Sequence, residues 1–187
     1  MKWLLWLSAL AVAVASGLWV LGARGTERVI ALWLDARLEE GWQAEAAAIE
    51  TAGFPTRFET RLTELRLADP ETGWAWTAPV LRIEQVVWRP DRLTVTGPET
   101  QTLASPMERL EIAAASLVAD LDIRPAERLA LDEGTTRMRD VTLTSSAGWR
   151  THLAEGQFDM RRRPGDPDAH TYDVAFQASG LDPPAAM

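Results

Sequence analysis

From Gly53 onward the chain alternates apolar and polar residues with a period of two, and this pattern constrains the fold most. Leu81 and Ile83, for example, alternate with Arg82 and Glu84. Successive side chains of a β-strand point to opposite faces of its sheet, so each such stretch is predicted to be a strand with one apolar face. Turn-forming residues separate the stretches at intervals of about ten residues. They include Asp69-Pro70, Gly97-Pro98, Ser105-Pro106, Asp132-Glu133-Gly134 and Ser145 to Gly148.

The predicted fold class is therefore mainly β, an open or curled antiparallel β-meander over residues 42–180. Residues 42–50 are ambiguous, because their alanines favour a helix while Trp42 and the alternate alanines favour a strand. They are predicted as the first strand of the meander. Residues 181–187 are predicted to be a disordered tail.

The apolar face of this sheet is the candidate binding surface. No segment with helical periodicity lies past residue 50, so nothing except the sheet itself is expected to cover that face. Along the third stretch the apolar positions change parity between Leu62 and Leu65. The residues predicted to line a hydrophobic groove are Phe58, Leu62, Leu81, Ile83, Leu121 and Ile123.

The run Trp3–Leu21 contains no charged residue and is predicted to be a transmembrane helix within residues 1–25. A helix of this length reaches about the 30 Å of a bilayer's hydrocarbon core. Trp3, Trp6 and Trp19 lie near its ends, where indole rings prefer the headgroup level, and are predicted to anchor it. The alternative is a signal peptide cleaved after Ala13-Val14-Ala15, but the run stays apolar beyond that point.

The expected location is the inner membrane, with a single pass and the body in the periplasm. Arg24 and Arg28 after the run slightly favour a cytoplasmic body over Lys2 before it. Long domains translocate largely regardless of charge, however, so an exported body is favoured.

Residues 26–41 are predicted to form a short juxtamembrane helix. Ile30, Trp33 and Leu34 recur at helical spacing, Thr26 suits the start and Gly41 suits the stop. One interpretation places this helix on the membrane surface, and the other packs its stripe on the domain. The second is favoured, because the C-terminal part of its polar face is acidic.

Composition excludes several classes of function. The formal net charge of -8 argues against nucleic acid as a partner, and the absence of cysteine excludes disulfides and thiolate metal sites. Neither Ser145 and His152 nor the Asp166, Asp168, His170 stretch has the motif that a hydrolase or a calcium loop needs. The chain is predicted to have no catalytic residue, no metal site and no cofactor. Arg161-Arg162-Arg163 is read as a solvated strand end, with contact to lipid phosphate as the alternative.

Trp74 and Trp76 lie two residues apart and are predicted to share one sheet face. They form either an aromatic wall that faces a ligand or a part of the core. The core interpretation is favoured, because large aromatic residues between polar neighbours usually pack inside.

Three stretches together resemble a known family. They are Gly22-Ala23-Arg24 running to Gly41-Trp42, then Gly53-Phe54-Pro55-Thr56-Arg57-Phe58, and Leu67 through Asp69-Pro70 to Pro79. They resemble an alphaproteobacterial family of membrane-anchored envelope proteins, the domain-of-unknown-function family 2125. That resemblance implies no activity and no catalytic residue. More distantly, an anchor followed by a long β-meander is similar to the AsmA-type proteins, and this similarity implies a curled sheet that carries or shields lipid.

Two function classes follow. The first is a membrane-anchored envelope protein whose curved sheet binds or shields a hydrophobic molecule, with membrane lipid as the expected partner. The second is a structural or assembly scaffold that docks a protein partner in the envelope through its sheet face or edge. The chain is not expected to be an enzyme.

Overall fold

The computed structural model describes residues 2–124, 130–163, 171–182 and 184–186. The side chains of residues 1–11 and 185–187 lie outside this description, as does the predicted turn with Asp166, Asp168 and His170. The described residues form one helix and eleven strands. They are α1 (Lys2–Glu39), β1 (Gln43–Glu45), β2 (Ala48–Ala52), β3 (Arg57–Asp69), β4 (Trp74–Val86), β5 (Arg92–Thr96), β6 (Thr100–Ala104), β7 (Arg109–Arg124), β8 (Ala130–Ser145), β9 (Trp149–Arg162), β10 (Tyr172–Leu181) and β11 (Ala185–Ala186).

The strands form one antiparallel meander in the spatial order β1-β3-β4-β5-β7-β8-β9-β10. Three short strands complete it: β2 pairs with β3 beyond β1, β6 lies between β4 and β7 beyond β5, and β11 pairs with β9. The prediction of a mainly antiparallel β fold, with strand in residues 42–50, is confirmed.

One predicted turn is wrong. Asp132-Glu133-Gly134 lies inside β8, which runs for 16 residues. Gly134 is opposite Leu121 of β7, and a Cβ at Gly134 would lie 3.0 Å from the Leu121 side chain. The glycine therefore makes room for a neighbouring leucine and does not turn the chain.

Irregular positions on several strands form a line across the sheet. At this line, the alternation of side chains between the two faces shifts by one residue. In β3, Thr63 pairs with Val80 and Leu65 with Ala78, while Glu64 between them has a φ of 50°. Leu62 and Leu65 are therefore both buried although they are three residues apart. Asp140 in β8 and Gly180 in β10 have the same left-handed φ, at 49° and 61°. The parity change that the sequence shows between Leu62 and Leu65 extends across the sheet.

The two helices predicted over residues 1–25 and 26–41 are one continuous helix. Thr26 does not cap a new start, since its hydroxyl donates to the Gly22 carbonyl at 3.1 Å within the helix. The predicted stop at Gly41 is confirmed, because Gly41 has a φ of 90° and its N–H bonds to the Leu38 carbonyl. Over the described residues, α1 contains no stretch that is both long and apolar enough for a membrane span.

The second half of α1 packs on the sheet, as the favoured interpretation of residues 26–41 predicted. Leu34 is buried with Ala44, Leu62 and Ala78, and Ile30 packs against the same cluster. The contacts of α1 fall on β1, β2 and β3. This end of the sheet therefore has a helix as a second layer.

The prediction of a disordered tail over residues 181–187 is wrong for its described part. Leu181 is the last residue of β10 and pairs with Leu153 of β9. The Asp182 N–H donates to the His152 carbonyl at 2.8 Å, and β11 pairs with the start of β9. Backbone pairing to β9 holds this segment in the sheet.

The apolar face of the sheet as candidate functional site

One face of the meander is mainly apolar, and the strand registers define it, although Gln85 of β4 and Arg162 of β9 also lie on this face. We call it the apolar face and the opposite one the polar face. On β7 the apolar face carries Leu110, Ile112, Ala114, Leu117, Ala119, Leu121 and Ile123, with no charged side chain among them. Asp120 and Asp122 lie on the polar face of the same strand.

The apolar face divides into two parts. Strands β1 to β3 contact α1, and β4 shares the cluster around Leu34 of α1; we call the apolar face of β1 to β4 the covered half. Strands β7 to β10 lie beyond the described contacts of α1, and we call their apolar face the open half. The two halves share one pattern of residues and differ in what lies over it.

Four of the six predicted groove residues lie in the covered half. Leu62 is 4% exposed, and Leu81 and Ile83 pack against its cluster. Phe58 stacks on Trp19 of α1 with 5.7 Å between ring centroids. Leu62 belongs to the buried cluster, Leu81 and Ile83 are partly buried against it and Phe58 is half-buried, so these four residues lie close to α1. That they line a groove stays a prediction.

The other two predicted residues, Leu121 and Ile123, lie in the open half. Leu121 pairs with Leu93 on one side and Gly134 on the other, whereas Ile123 is buried near Leu131. Two stretches that the candidate set omitted extend this surface. Phe158 of β9 is opposite Phe176 of β10, and Met160 is opposite Val174. The signal that identifies them is the same alternation of apolar and polar residues.

Exposure increases toward the last strand of the open half. Ala114, Val141 and Leu153 form a small buried cluster with Leu117 and Met138 around them. On β10, by contrast, Val174 is 61% and Phe176 is 58% exposed. An apolar surface that spans neighbouring strands and remains open to this extent is a typical interaction site.

Trp74 and Trp76 lie in different environments. Trp76 packs against the covered cluster, and its indole N–H donates to the Gln101 side chain at 2.7 Å. Trp74 lies on the same face but is exposed, next to the β3–β4 turn. The core interpretation therefore describes Trp76 and not Trp74.

Charged pairs cover the polar face. Arg92 contacts Asp122 at 2.8 Å, Arg137 contacts Asp120 at 2.8 Å and Arg161 contacts Glu133 at 2.5 Å. The hydrogen bond and charge of Asp122 raise the pKa of Arg92, and those of Glu133 raise the pKa of Arg161. Hydrogen bonds from Gln157 and Thr135 lower the pKa of the Asp159 carboxyl. The polar face is therefore suited to contact with water.

Two depressions, of about 650 and 340 Å³, also lie on the polar face. The larger is lined by Ser116, Arg137, Arg139, Glu155 and Gln157 near the line of irregular positions. The two faces therefore differ in chemistry: these depressions lie on the polar face, and the apolar side chains of β7 to β10 lie on the opposite face.

The polar groups considered for catalysis are not brought together. Ser145 is buried, and its hydroxyl contacts the Glu108 carboxylate, which also accepts the Trp149 indole N–H at 3.1 Å. His152 pairs with Thr142 on the polar face, 3.7 Å from Asp182. Ser145 therefore fixes the β8–β9 turn. Within the described ranges no group of three or more acidic or histidine residues is arranged to hold a metal ion.

Two arginines of the basic run at the end of β9 form ion pairs. Arg161 contacts Glu133, and Arg163 contacts Asp173, whose pKa this arginine lowers. These contacts agree with a strand end that faces water.

The fold and the site define a class of protein: an antiparallel β-meander with one apolar face, half of it covered by an N-terminal helix. Residues 19–187 match the family described as an uncharacterized protein conserved in bacteria, DUF2125, and the chain belongs to that family. The match begins at Trp19, the residue whose ring meets Phe54 at 5.7 Å. No curated protein and no solved structure matches the chain significantly.

Proposed function

We propose that the open half of the apolar face binds or shields the acyl chains of membrane lipid, in a protein that α1 attaches to the membrane. The observation that carries this proposal is the exposure of Val174 and Phe176 on a face whose other half is a packed core. Water-exposed apolar surface is costly at about 25 cal/mol per Å², so an occupant of matching polarity stabilises it.

The shape and charge of the open half favour an acyl chain as that occupant. Strands β7 and β8 are each 16 residues long, or roughly 50 Å at 3.3 Å per residue. The apolar positions of β7 carry no charge over that length. A long, narrow and uncharged ligand fits such a strand-aligned surface.

Membrane attachment is supported by the first part of α1. Trp3–Leu21 carries no charged residue, and the described residues Val12, Val14 and Leu18 are exposed. Trp19 of the predicted anchor set contacts Phe54 and Phe58, and Trp3 and Trp6 belong to the helix. We propose a single-pass inner-membrane anchor with the sheet in the periplasm, where the open half lies within reach of lipid.

The test compares two substitutions on one strand. Leu121→Arg places a charge on the open half, whereas Asp120→Arg places the same side chain on the polar face. The full chain is purified from membranes in detergent, and the lipid bound per protein is measured by mass spectrometry. Leu121→Arg is expected to reduce bound lipid, and Asp120→Arg is expected to leave it unchanged.

Lipids around α1 are common to both variants, so the difference reports on the sheet. Equal lipid content in the wild type and both variants, with unchanged circular dichroism, contradicts the proposal. A photo-crosslinker at Leu121 that captures only protein favours the scaffold function instead, with the exposed β10 side of the sheet as the docking region.

A further inference from the structure

The turns that the structure describes at the two ends of the sheet differ. The β2–β3 turn and the β4–β5 turn lie side by side at one end, because the Val87 N–H bonds to the Thr56 carbonyl at 3.2 Å. Together they expose four large apolar side chains, which we call the tip: Phe54, Val86, Val87 and Trp88. Trp88 is 67% exposed.

Hydrogen bonds hold the tip in place. The Arg89 N–H bonds to the Val86 carbonyl at 2.9 Å, and the Gln85 side chain donates to the Pro90 carbonyl at 2.8 Å. The Ile123 N–H bonds to the Asp91 carbonyl at 2.7 Å, which fastens the turn to β7. Trp88 is thus presented by an ordered turn.

The described turns at the opposite end contain more polar residues, although Trp74, 49% exposed, directly follows the β3–β4 turn. Asp69 accepts hydrogen bonds from Glu71 and Thr72 in the β3–β4 turn, and Ser105 organises the β6–β7 turn. Met107, 89% exposed, is a single apolar side chain between Pro106 and Glu108. It provides a matched position for experiments on the tip.

The uncharged part of α1 leaves the sheet at the tip. The Trp19 indole donates to the Arg57 carbonyl at 3.0 Å, and its ring meets Phe54 edge-on at 5.7 Å. Leu34, fifteen residues later, packs on Ala44 toward the other end. The residues before Trp19 therefore extend away from the sheet at the end where Phe54 lies, and the turn that carries Trp88 is bonded to the Phe54 turn.

We infer that the tip inserts into the interfacial region of the bilayer that α1 enters. Tryptophan and phenylalanine beside an apolar helix favour that region, where an indole ring keeps its N–H in contact with water or headgroups. Arg57 and Arg89 are exposed next to the tip with Asp91, so cationic groups lie at headgroup level. The tip holds the end of the apolar face against the membrane.

This inference rests on the proposed membrane attachment of α1 and is independent of lipid binding by the open half. The chain has no cysteine, so single-cysteine variants can be labelled without background. Trp88→Cys and Phe54→Cys report on the tip, and the second keeps Trp88 in place. Met107→Cys is the control at the opposite end.

Each labelled full chain carries an environment-sensitive fluorophore and is reconstituted into phosphatidylcholine–phosphatidylglycerol vesicles with or without doxyl-labelled lipid. At positions 54 and 88 we expect a blue-shifted emission that doxyl lipid quenches severalfold more than at position 107. Water-like emission at both tip positions in protein that floats with the vesicles overturns the inference. So does a blue shift without quenching, which indicates burial by protein, and so does equal quenching at position 107.

The control for the proposed function is separate. If the unlabelled wild-type chain does not float with vesicles, the attachment by α1 fails, and the inference fails with it. If it floats but the tip is not quenched, only the inference fails.

Discussion

The covered and open halves of the apolar face have the same alternation of residues but different environments. In the covered half, α1 lies over the strands, and Leu62 is nearly inaccessible. In the open half, Phe176 occupies an equivalent apolar-face position and remains mostly exposed. Strand alternation therefore decides to which face a side chain points, whereas a second layer decides whether that side chain is buried.

The largest expected difference is between two alanine-to-aspartate substitutions. Ala78 is 2% exposed beneath the α1 contact, so Ala78→Asp buries a carboxylate and should cost roughly 3 kcal/mol or more. Ala119 lies half-buried in the open half, so Ala119→Asp should cost less than about 1.5 kcal/mol because water reaches it. Urea unfolding of the full chain, followed by tryptophan fluorescence, measures both. Equal losses in the free energy of unfolding would show that the halves are packed alike.

Truncation of large side chains should follow the same order. Leu62→Ala removes a buried side chain and should lower the free energy of unfolding by about 2–4 kcal/mol. Phe176→Ala removes a larger side chain but should cost less than about 1 kcal/mol, because that ring is mostly exposed. The same denaturation experiment applies. A cost at Phe176 as large as that at Leu62 would mean that β10 is covered.

Two glycines of α1 test how closely the helix approaches the sheet. A Cβ at Gly22 would lie 2.6 Å from the Phe58 ring, which is stacked on Trp19, so Gly22→Ala should destabilise by about 1 kcal/mol or more. A Cβ at Gly25 meets no atom within 4 Å, so Gly25→Ala should stabilise by about 0.5–1 kcal/mol. Thermal unfolding compares them. A stabilising Gly22→Ala would refute the close contact.

The smallest effect concerns the polar face and pH. The folded-state pKa of Asp159 is lowered by Gln157 and Thr135, so its contribution to stability is present above the unfolded pKa of about 3.9 and is lost as pH falls through the folded value. Asp159→Asn should therefore be less stable than the wild type at neutral pH, and the difference should shrink in acid. Denaturation midpoints of the wild type and the variant, at neutral and at acidic pH, measure this difference in stability. A difference that grows in acid has the wrong sign.

Much of the fold follows from the sequence, because alternation and turn residues are local signals. They predict the meander and the parity change between Leu62 and Leu65. The continuity of α1 is not local: glycine costs a helix about 1 kcal/mol, which favours a break near Gly22 and Gly25. The contact of Gly22 with Phe58 and the packing of Leu34 outweigh that cost.

The candidate site was predicted only in part for the same reason. Leu81 and Leu121 have equivalent patterns and are both half-buried, but only Leu81 packs against the cluster that contains Leu34 of α1. No local pattern of residues in the sequence predicts the path of α1 over the sheet. Phe158 and Phe176 lie on the same face as Leu121, in the open half beyond the contacts of α1.

We propose that α1 covers one half of the apolar face and that lipid occupies the other half. Photo-crosslinkers at Leu62 and Leu121 in the full chain, activated in intact cells and analysed by mass spectrometry, test this proposal directly. We expect position 62 to crosslink to peptides of α1 and position 121 to crosslink to lipid. Lipid at both positions, or α1 peptides at both, would contradict it.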